Sequence, residues 1–234
     1  MPSELPLTQQ AYEHIQPEIL AGRLSAGSRI SEKKIADELG ISRTPVGEAI
    51  RSLATEGWVE QRPRQGTVVR DFTRREVIEL YELREALETF AAGKAATLIT
   101  DPTLSRLDRY CGEMERLRKE LSESGAGMLN DESLKRFLAA DMAFHLLIVR
   151  TAGNQLILDL TKQTRTISRL FRLRRQRHSL QVVQRAHDFH RRIVAALRQG
   201  DAKTARQAVA EHIQASRQET LDELDQHHAT LDPN

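Results

Sequence analysis

Residues 31–69, SEKKIADELGISRTPVGEAIRSLATEGWVEQRPRQGTVV, constrain this chain more than any other stretch. Ile35, Ala36 and Leu39 mark one face of a short helix, and Gly40 suits its stop because it reaches positive φ without a Cβ clash. Ser42 or Thr44 can accept the orphan N–H groups of a second helix, with Pro45 tolerated in its first turn. Val46, Ala49, Ile50, Leu53 and Ala54 then recur at helical spacing to Gly57. Trp58-Val59 and Thr67-Val68-Val69 are β-prone runs on either side of Arg62-Pro63-Arg64-Gln65-Gly66, so they read as a hairpin. Helix, turn, helix and hairpin in that order describe a winged helix-turn-helix, which lays one helix in the major groove of DNA. The competing reading is a helical hairpin with a solvated charged face.

Charge sits where a duplex needs it. Residues 1–72 hold about as many acids as bases, yet the second helix offers Arg43 and Arg51 outward. The hairpin offers Arg62, Arg64 and Arg70, with no acid from Gln61 to Arg70. Arginine suits both phosphates and guanine edges. A Pro17 inside the otherwise periodic first helix (Tyr12, Ile15, Ile19, Leu20) is expected to kink or shorten it.

On these residues, from Leu24 to Val69, the chain resembles the DNA-binding domain of GntR-family transcriptional regulators. The resemblance implies that Arg43 and Thr44 meet bases or phosphates, that Arg51 faces the backbone and that Lys33 touches phosphate. It also implies that Gln65 and Gly66 enter the minor groove at the wing tip, beside Arg62 and Arg64. Gly47 departs from the family, which usually has arginine there. Glycine costs the helix about 1 kcal/mol relative to alanine, and a good arginine–guanine pair is worth about 1–3 kcal/mol.

The rest of the chain reads as helix. A length of 234 residues holds a domain of residues 1–72 and one of residues 73–234. With 29% charged residues and only 4% aromatics, the composition favours a mainly α protein over a β-sandwich or a disordered chain. Six helices are expected: from Thr73 (through a Thr73–Glu76 capping box) to about Leu98; from a cap at Asp101-Pro102 to about Leu121; about 132–151; about 155–177; up to Gln199; and from a cap at Asp201 to about Gln226. The core face of the first is expected along Val77, Leu80, Leu83, Leu87 and Ala91. The architecture is thus a winged helix-turn-helix followed by an all-α antiparallel bundle. No apolar run approaches the ~20 residues that span a bilayer, the start MPSELPLTQQ lacks the pattern of a signal peptide, and the single Cys111 excludes an intrachain disulfide framework. A cytoplasmic protein is expected.

The helical half also carries a set of metal-ligand types. Asp141 and His145 are four apart on one helix face. His190 precedes the Gly200 turn by about ten residues and His212 follows Asp201 by about eleven, so both stand ~15–18 Å from the bend and level with each other. With the Asp141 helix alongside, one carboxylate and three imidazoles can converge, a donor set for zinc, nickel or a similar divalent ion. Four ordinary polar side chains are the alternative. The segments ADMAFHLLIVRTAGN, HRRIVAALRQGD and AVAEHI resemble the C-terminal effector domain of the FadR subgroup, the FCD domain, many members of which bind a divalent metal through one Asp and three His. The matching positions are Asp141, His145, His190 and His212, while His178 and His187 fall outside them.

Arg84 resembles a family position that often points into the same cavity, where it would pair with an anionic ligand; its other reading is a salt bridge with Glu88. Arg165 belongs to an acid-free run from Leu160 to His187, with Arg169 and Arg172 on its face. That face can line an effector cavity, meet acids of a partner subunit or be solvated; a second nucleic-acid surface fits least. Together these readings imply a homodimeric repressor that reads a palindromic operator and is released by a small carboxylate bound beside the metal. A metal-dependent hydrolase with an accessory DNA-binding domain, with Glu211 or His187 as base, and a direct metal sensor are the competing classes.

Overall fold

The structure, a computed structural model, describes residues 5–20, 23–175 and 178–231, leaving aside the side chains of 20, 169–175 and 226–231. The guanidiniums of Arg169, Arg172, Arg174 and Arg175 therefore lie outside the described residues, as does Arg177. The chain divides into two compact units between Thr73 and Arg74.

The first unit contains α1 (Leu7–Leu20), α2 (Glu32–Leu39), α3 (Arg43–Thr55), β1 (Val59–Arg62) and β2 (Gly66–Val69). Ser31 caps α2 by accepting from the Lys34 N–H, and Gly40 ends it at φ 65°. Ile41 N–H then bonds the Ala36 carbonyl, and α3 starts three residues after the stop. Ser42 stands at the N-cap of α3 but its hydroxyl does not cap the helix. Pro17 leaves α1 continuous, and the helix ends three residues beyond it. Its missing N–H thus costs only one bond of the last turn. Ile15, Ile19, Val46, Ala49, Ile50, Leu53, Trp58, Val68 and Val69 fill the core. Glu56 ties its edge by accepting from Tyr12 Oη at 2.6 Å and Trp58 Nε1 at 2.9 Å.

β1 and β2 pair antiparallel with Val59 opposite Val69 and Arg62 opposite Gly66. A third short edge, unexpected from the sequence, joins them. Arg29 bridges Val68, Ile30 N–H bonds the Thr67 carbonyl and Val69 N–H bonds the Ser28 carbonyl. The outer edge of β2 is thereby paired rather than open.

The second unit is built from α4 (Arg74–Ala96), α5 (Asp101–Ser124), α6 (Asp131–Thr151), α7 (Gln155–Arg175), α8 (Leu180–Arg198) and α9 (Ala202–Leu231). Its N-caps are Thr100 for α5, rather than Asp101, then Asn130 for α6 and Ser179 for α8. Asp201 takes the Lys203 and Thr204 N–H groups at the start of α9, as its position after Gly200 suggests. The last helix runs on to Leu231, five residues beyond the expected end near Gln226. α4 lies along α9 and also meets α6 and α7, while α8 packs against α5 and α9.

The buried face of α4 differs from the expected one. Val77, Tyr81, Arg84, Glu88, Ala91, Ala92 and Ala95 turn inward, whereas Leu83 and Phe90 are 44% and 53% exposed. Apolar spacing alone selects the leucine stripe. The observed face wins because its two charged residues find each other and further partners inside. No helix among the described residues is long and apolar enough to cross a membrane.

Cys111, in the middle of α5, is buried, and that burial pushes its thiol up to about 11. The thiolate is the reactive species, so a disulfide reagent at pH 8 is expected to label this cysteine only as fast as the second unit unfolds. Immediate stoichiometric labelling of native protein would contradict this packing.

Candidate metal centre and nucleic-acid interface

In the second unit, α6 carries Asp141 and His145, α8 carries His190 and α9 carries His212. The turn at Gly200 brings α8 and α9 side by side, so two histidines 22 positions apart in sequence face each other. One ligand atom from each of the four residues lies within 4.8 Å of the others, and all four residues are buried. His145 Nε2 stands 3.0 Å from His190 Nε2 and 3.2 Å from His212 Nε2. Asp141 Oδ1 is 3.4 Å from His190 Nε2 and 3.8 Å from His145 Nε2. Ligands about 2.0–2.2 Å from one ion stand about 3 Å or a little more apart, so the spacing fits a shared cation. The lining is aromatic: Phe144 packs on His145 and His190, and Phe189 on His212.

The electrostatics favour neutral imidazoles. Burial pushes His145 down to about 3, helped by Arg165 and opposed by Glu88 and Asp141. His212 lies well below its ordinary value, through burial first and then the His190 and His145 rings. At neutral pH these two rings therefore keep a lone pair for a cation.

Beneath the cluster sits an ion network centred on Glu88 of α4. Its carboxylate accepts from Arg165 Nη2 at 2.5 Å and Arg84 Nε at 3.1 Å, and lies 3.3 Å from His145 Nδ1. Arg165 Nη1 reaches Asp141 Oδ2 at 3.3 Å, and Arg84 Nη1 reaches Ser168 Oγ at 3.2 Å. Burial alone would raise the Glu88 carboxyl, but Arg165 and Arg84 hold it well below the usual range. Arg84 therefore makes the Glu88 pair that its spacing allowed, and Arg165 joins it.

Sequence reading assigned Glu88 only to Arg84 and did not connect it with the metal ligands. One signal was present: Arg84 and Glu88 interrupt the stripe Val77–Tyr81–Ala91–Ala95, and charges inside a buried stripe announce an internal network. Two other candidates stay outside the cluster. His187 lies near Asp188 and Glu115, and Glu211 is held by Arg192 at 2.6 Å. His178 is buried against the Phe137 ring.

On the first unit, Lys33, Arg43, Thr44, Arg51, Arg64 and Gln65 are exposed, while Arg62 and Gly66 are half-buried. Arg43 and Arg62 are partly engaged, with Glu32 at 3.3 Å and Glu60 at 2.7 Å. Arg64 is the one non-glycine residue with positive φ (64°) among the described residues. It follows Pro63 in a tight turn closed by Gln65 N–H to the Arg62 carbonyl at 3.2 Å, a place where glycine is the usual choice.

Residues 79–215 match the FCD domain, and residues 7–69 match the family described as bacterial regulatory proteins, gntR family. The chain belongs to the GntR family. It is a DNA-binding transcriptional regulator with a C-terminal FCD domain, and not an enzyme, which sets the hydrolase reading aside. It is 33% identical to the probable D-xylose utilization operon transcriptional repressor of Paenarthrobacter nicotinovorans, over 89% of this chain and 86% of that one. It is 29% identical to the gluconate operon transcriptional repressor of Bacillus licheniformis, over 74% of this chain and 65% of that one. Among solved structures, E. coli McbR/YncC matches in fold with a TM-score of 0.65 and 20% identity, covering 91% of this chain and 95% of its own.

Within this family member, Gly47 leaves room on α3. The nearest atoms to a Cβ built there are Arg51 Nη1 and Glu32 Oε1, each at 3.8 Å, and Glu32 Cδ at 3.9 Å, all ordinary contact distances. Gly47→Arg is expected to leave the stability unchanged or raise it by up to about 1 kcal/mol of helix propensity, read as an unchanged or higher melting temperature. The introduced guanidinium also competes with Arg43 for Glu32, so operator affinity or base preference should change. Binding curves on upstream DNA that superimpose for the two proteins would show that position 47 does not bear on recognition.

Proposed function

We propose that this chain is a cytoplasmic, homodimeric repressor that reads a palindromic operator and is released by a small organic acid captured at a divalent metal in the second unit. The observation that carries the proposal is the buried Asp141–His145–His190–His212 cluster in a chain whose first unit is a GntR helix-turn-helix. Repression accords with the two relatives named as operon repressors.

In the DNA-reading half, the N-terminus of α3 presents Arg43 and Thr44 to the major groove, with Arg51 about two turns further along the same helix. Lys33 approaches phosphate, and the wing places Arg62, Arg64, Gln65 and Gly66 against the minor groove. Two copies would read two half-sites related by the protein's own two-fold axis. Leu83 and Phe90 of α4, Leu98 just beyond its end, and Leu156 and Leu160 of α7 are exposed large apolar side chains. They support a subunit contact on these two neighbouring helices.

In the effector half, Asp141, His145, His190 and His212 would hold zinc or nickel. A divalent ion held there would supply a Lewis-acidic centre that a carboxylate could ligate in the room the four protein donors leave. The chain's own part is to keep the imidazoles neutral and the surroundings dry. Phe189 both packs on His212 and lines a surface groove with Gln181, Gln184, Arg185, Asp188 and Arg192, which gives an acid a polar approach. Arg84 and Arg165 border the site, but an incoming anion competes for them with Glu88. Capture switches the operator equilibrium only to the extent that the effector prefers one state, typically by 1–3 kcal/mol.

Purified wild type is expected to carry about one zinc or nickel per chain by elemental analysis, and His190→Ala to lose it. A gel shift on DNA upstream of the coding region should then be relieved by a small organic acid in wild type only. A metal-free wild type would end the metal reading, and relief by metal alone would turn it into direct metal sensing.

The wing yields a separate expectation. Arg64→Gly removes the cost of left-handed backbone, about 1–2 kcal/mol less the entropy glycine adds, so thermal stability should hold or rise. Loss of one phosphate contact should lower the salt slope of DNA binding by about 0.9. An unchanged slope would place the wing tip away from phosphate.

A further inference from the structure

Three buried groups converge on one carboxylate at the floor of the cluster. Glu88 on α4 is only 2% exposed, and it faces Arg84 from its own helix, Arg165 from α7 and His145 from α6. The contact with His145 is made at Nδ1, the ring nitrogen turned away from the other ligands. The second nitrogen, Nε2, is the one set among His190, His212 and Asp141.

An imidazole has one proton to place in its neutral form. A carboxylate at Nδ1 can only accept, so the proton belongs on Nδ1 and the lone pair on Nε2. With the opposite tautomer, Nε2–H would point into the donor cluster, and the Nδ1 lone pair would face an anion. Arg84 and Arg165 hold the Glu88 carboxylate in place from two sides, at 3.1 and 2.5 Å. Neither arginine reaches His145 in any contact the structure describes, so Glu88 joins both guanidiniums to that ligand, while Arg165 also meets Asp141 directly at 3.3 Å.

We propose that Glu88 is a positioning residue of the metal centre: it fixes the His145 proton on Nδ1 and so presents Nε2 to the ion. The role rests on the metal reading for its purpose but not for its geometry, because the tautomer is set in the metal-free chain as well. Partners of this kind typically change metal affinity by about 10–100-fold when altered. Arg84 thereby acts on the ion through Glu88, and Arg165 through both Glu88 and its own contact with Asp141, so their pairing with the chain's own carboxylates belongs to metal capture. An acidic ligand that draws either arginine away would alter the hold on His145.

The test uses the full-length protein with ¹⁵N-labelled histidine. In metal-free wild type, the His145 ring, assigned by loss of its signals in His145→Gln, is expected to show the Nδ1–H tautomer. In Glu88→Gln, which keeps the shape but loses the charge, a mixture or the Nε2–H form is expected. Zinc affinity, measured by competition with a chromogenic chelator, should fall by about 10–100-fold in Glu88→Gln and be partly restored in Glu88→Asp. An Nε2–H tautomer in wild type, or equal zinc affinity in wild type and folded Glu88→Gln, would overturn the proposal. Should Glu88→Gln not fold, the wild-type tautomer decides by itself. Should wild type bind no zinc, the metal reading fails, and the tautomer still decides what Glu88 does.

Discussion

Four ionised side chains and three imidazoles lie in the middle of a helical bundle, and the second unit is arranged around making that tolerable. Each buried charge forfeits several kcal/mol of hydration, which only close opposite charges and hydrogen bonds return. Arg84 and Arg165 are matched by Glu88 and Asp141, so the group is neutral as a set. That balance requires α4, α6 and α7 to meet at one level. It also explains why α4 turns Tyr81, Arg84 and Glu88 inward and leaves Leu83 and Phe90 outside. Removing one partner of such a buried pair strands the other, a cost of about 3–5 kcal/mol. The network therefore holds the helices in register as well as supporting the histidines above it.

The first unit depends on nearer neighbours. Gly40 at φ 65° ends α2, Ile41 closes back on Ala36, and α3 begins three residues after the stop. The wing then hangs from Trp58 and Val59 at the end of α3, and the Ser28–Ile30 edge pins its far strand. Arg64 spends backbone strain at the tip of this hairpin. A cation kept where glycine would be easier is the kind of local compromise that belongs to a working surface.

Legibility in the sequence followed the range of the interaction. Helix starts and stops were readable where one residue settles the backbone close to it, as at Gly40 and Asp201, whereas the Ser31 cap of α2 emerged only in the structure. Reading failed where two candidates compete for one cap: Thr100, not Asp101, precedes α5, and the Ser42 hydroxyl does not cap α3. The spacing of His190 and His212 about the Gly200 bend put those two rings at one level, and Asp141 with His145 fell on one helix face; that the Asp141 helix packs alongside them was left to the tertiary structure. The level is a matter of helical rise, which the count of residues supplies. The Arg29 edge was not legible, because a one-residue bridge leaves no period.

The order of elements, the Gly40 turn, the Arg-rich wing and the levels of the histidines were determined by the sequence itself, since each arises from periodicity or from bonds between near neighbours along the chain. Which stripe of α4 faces inward, and that Glu88 joins Arg84, Arg165 and His145, were decided only by the tertiary structure. Burying a charge is unfavourable on every local criterion and becomes tolerable only when opposite charges arrive from helices far away in sequence; the charged pair within the α4 stripe signals such a network without naming its distant partners.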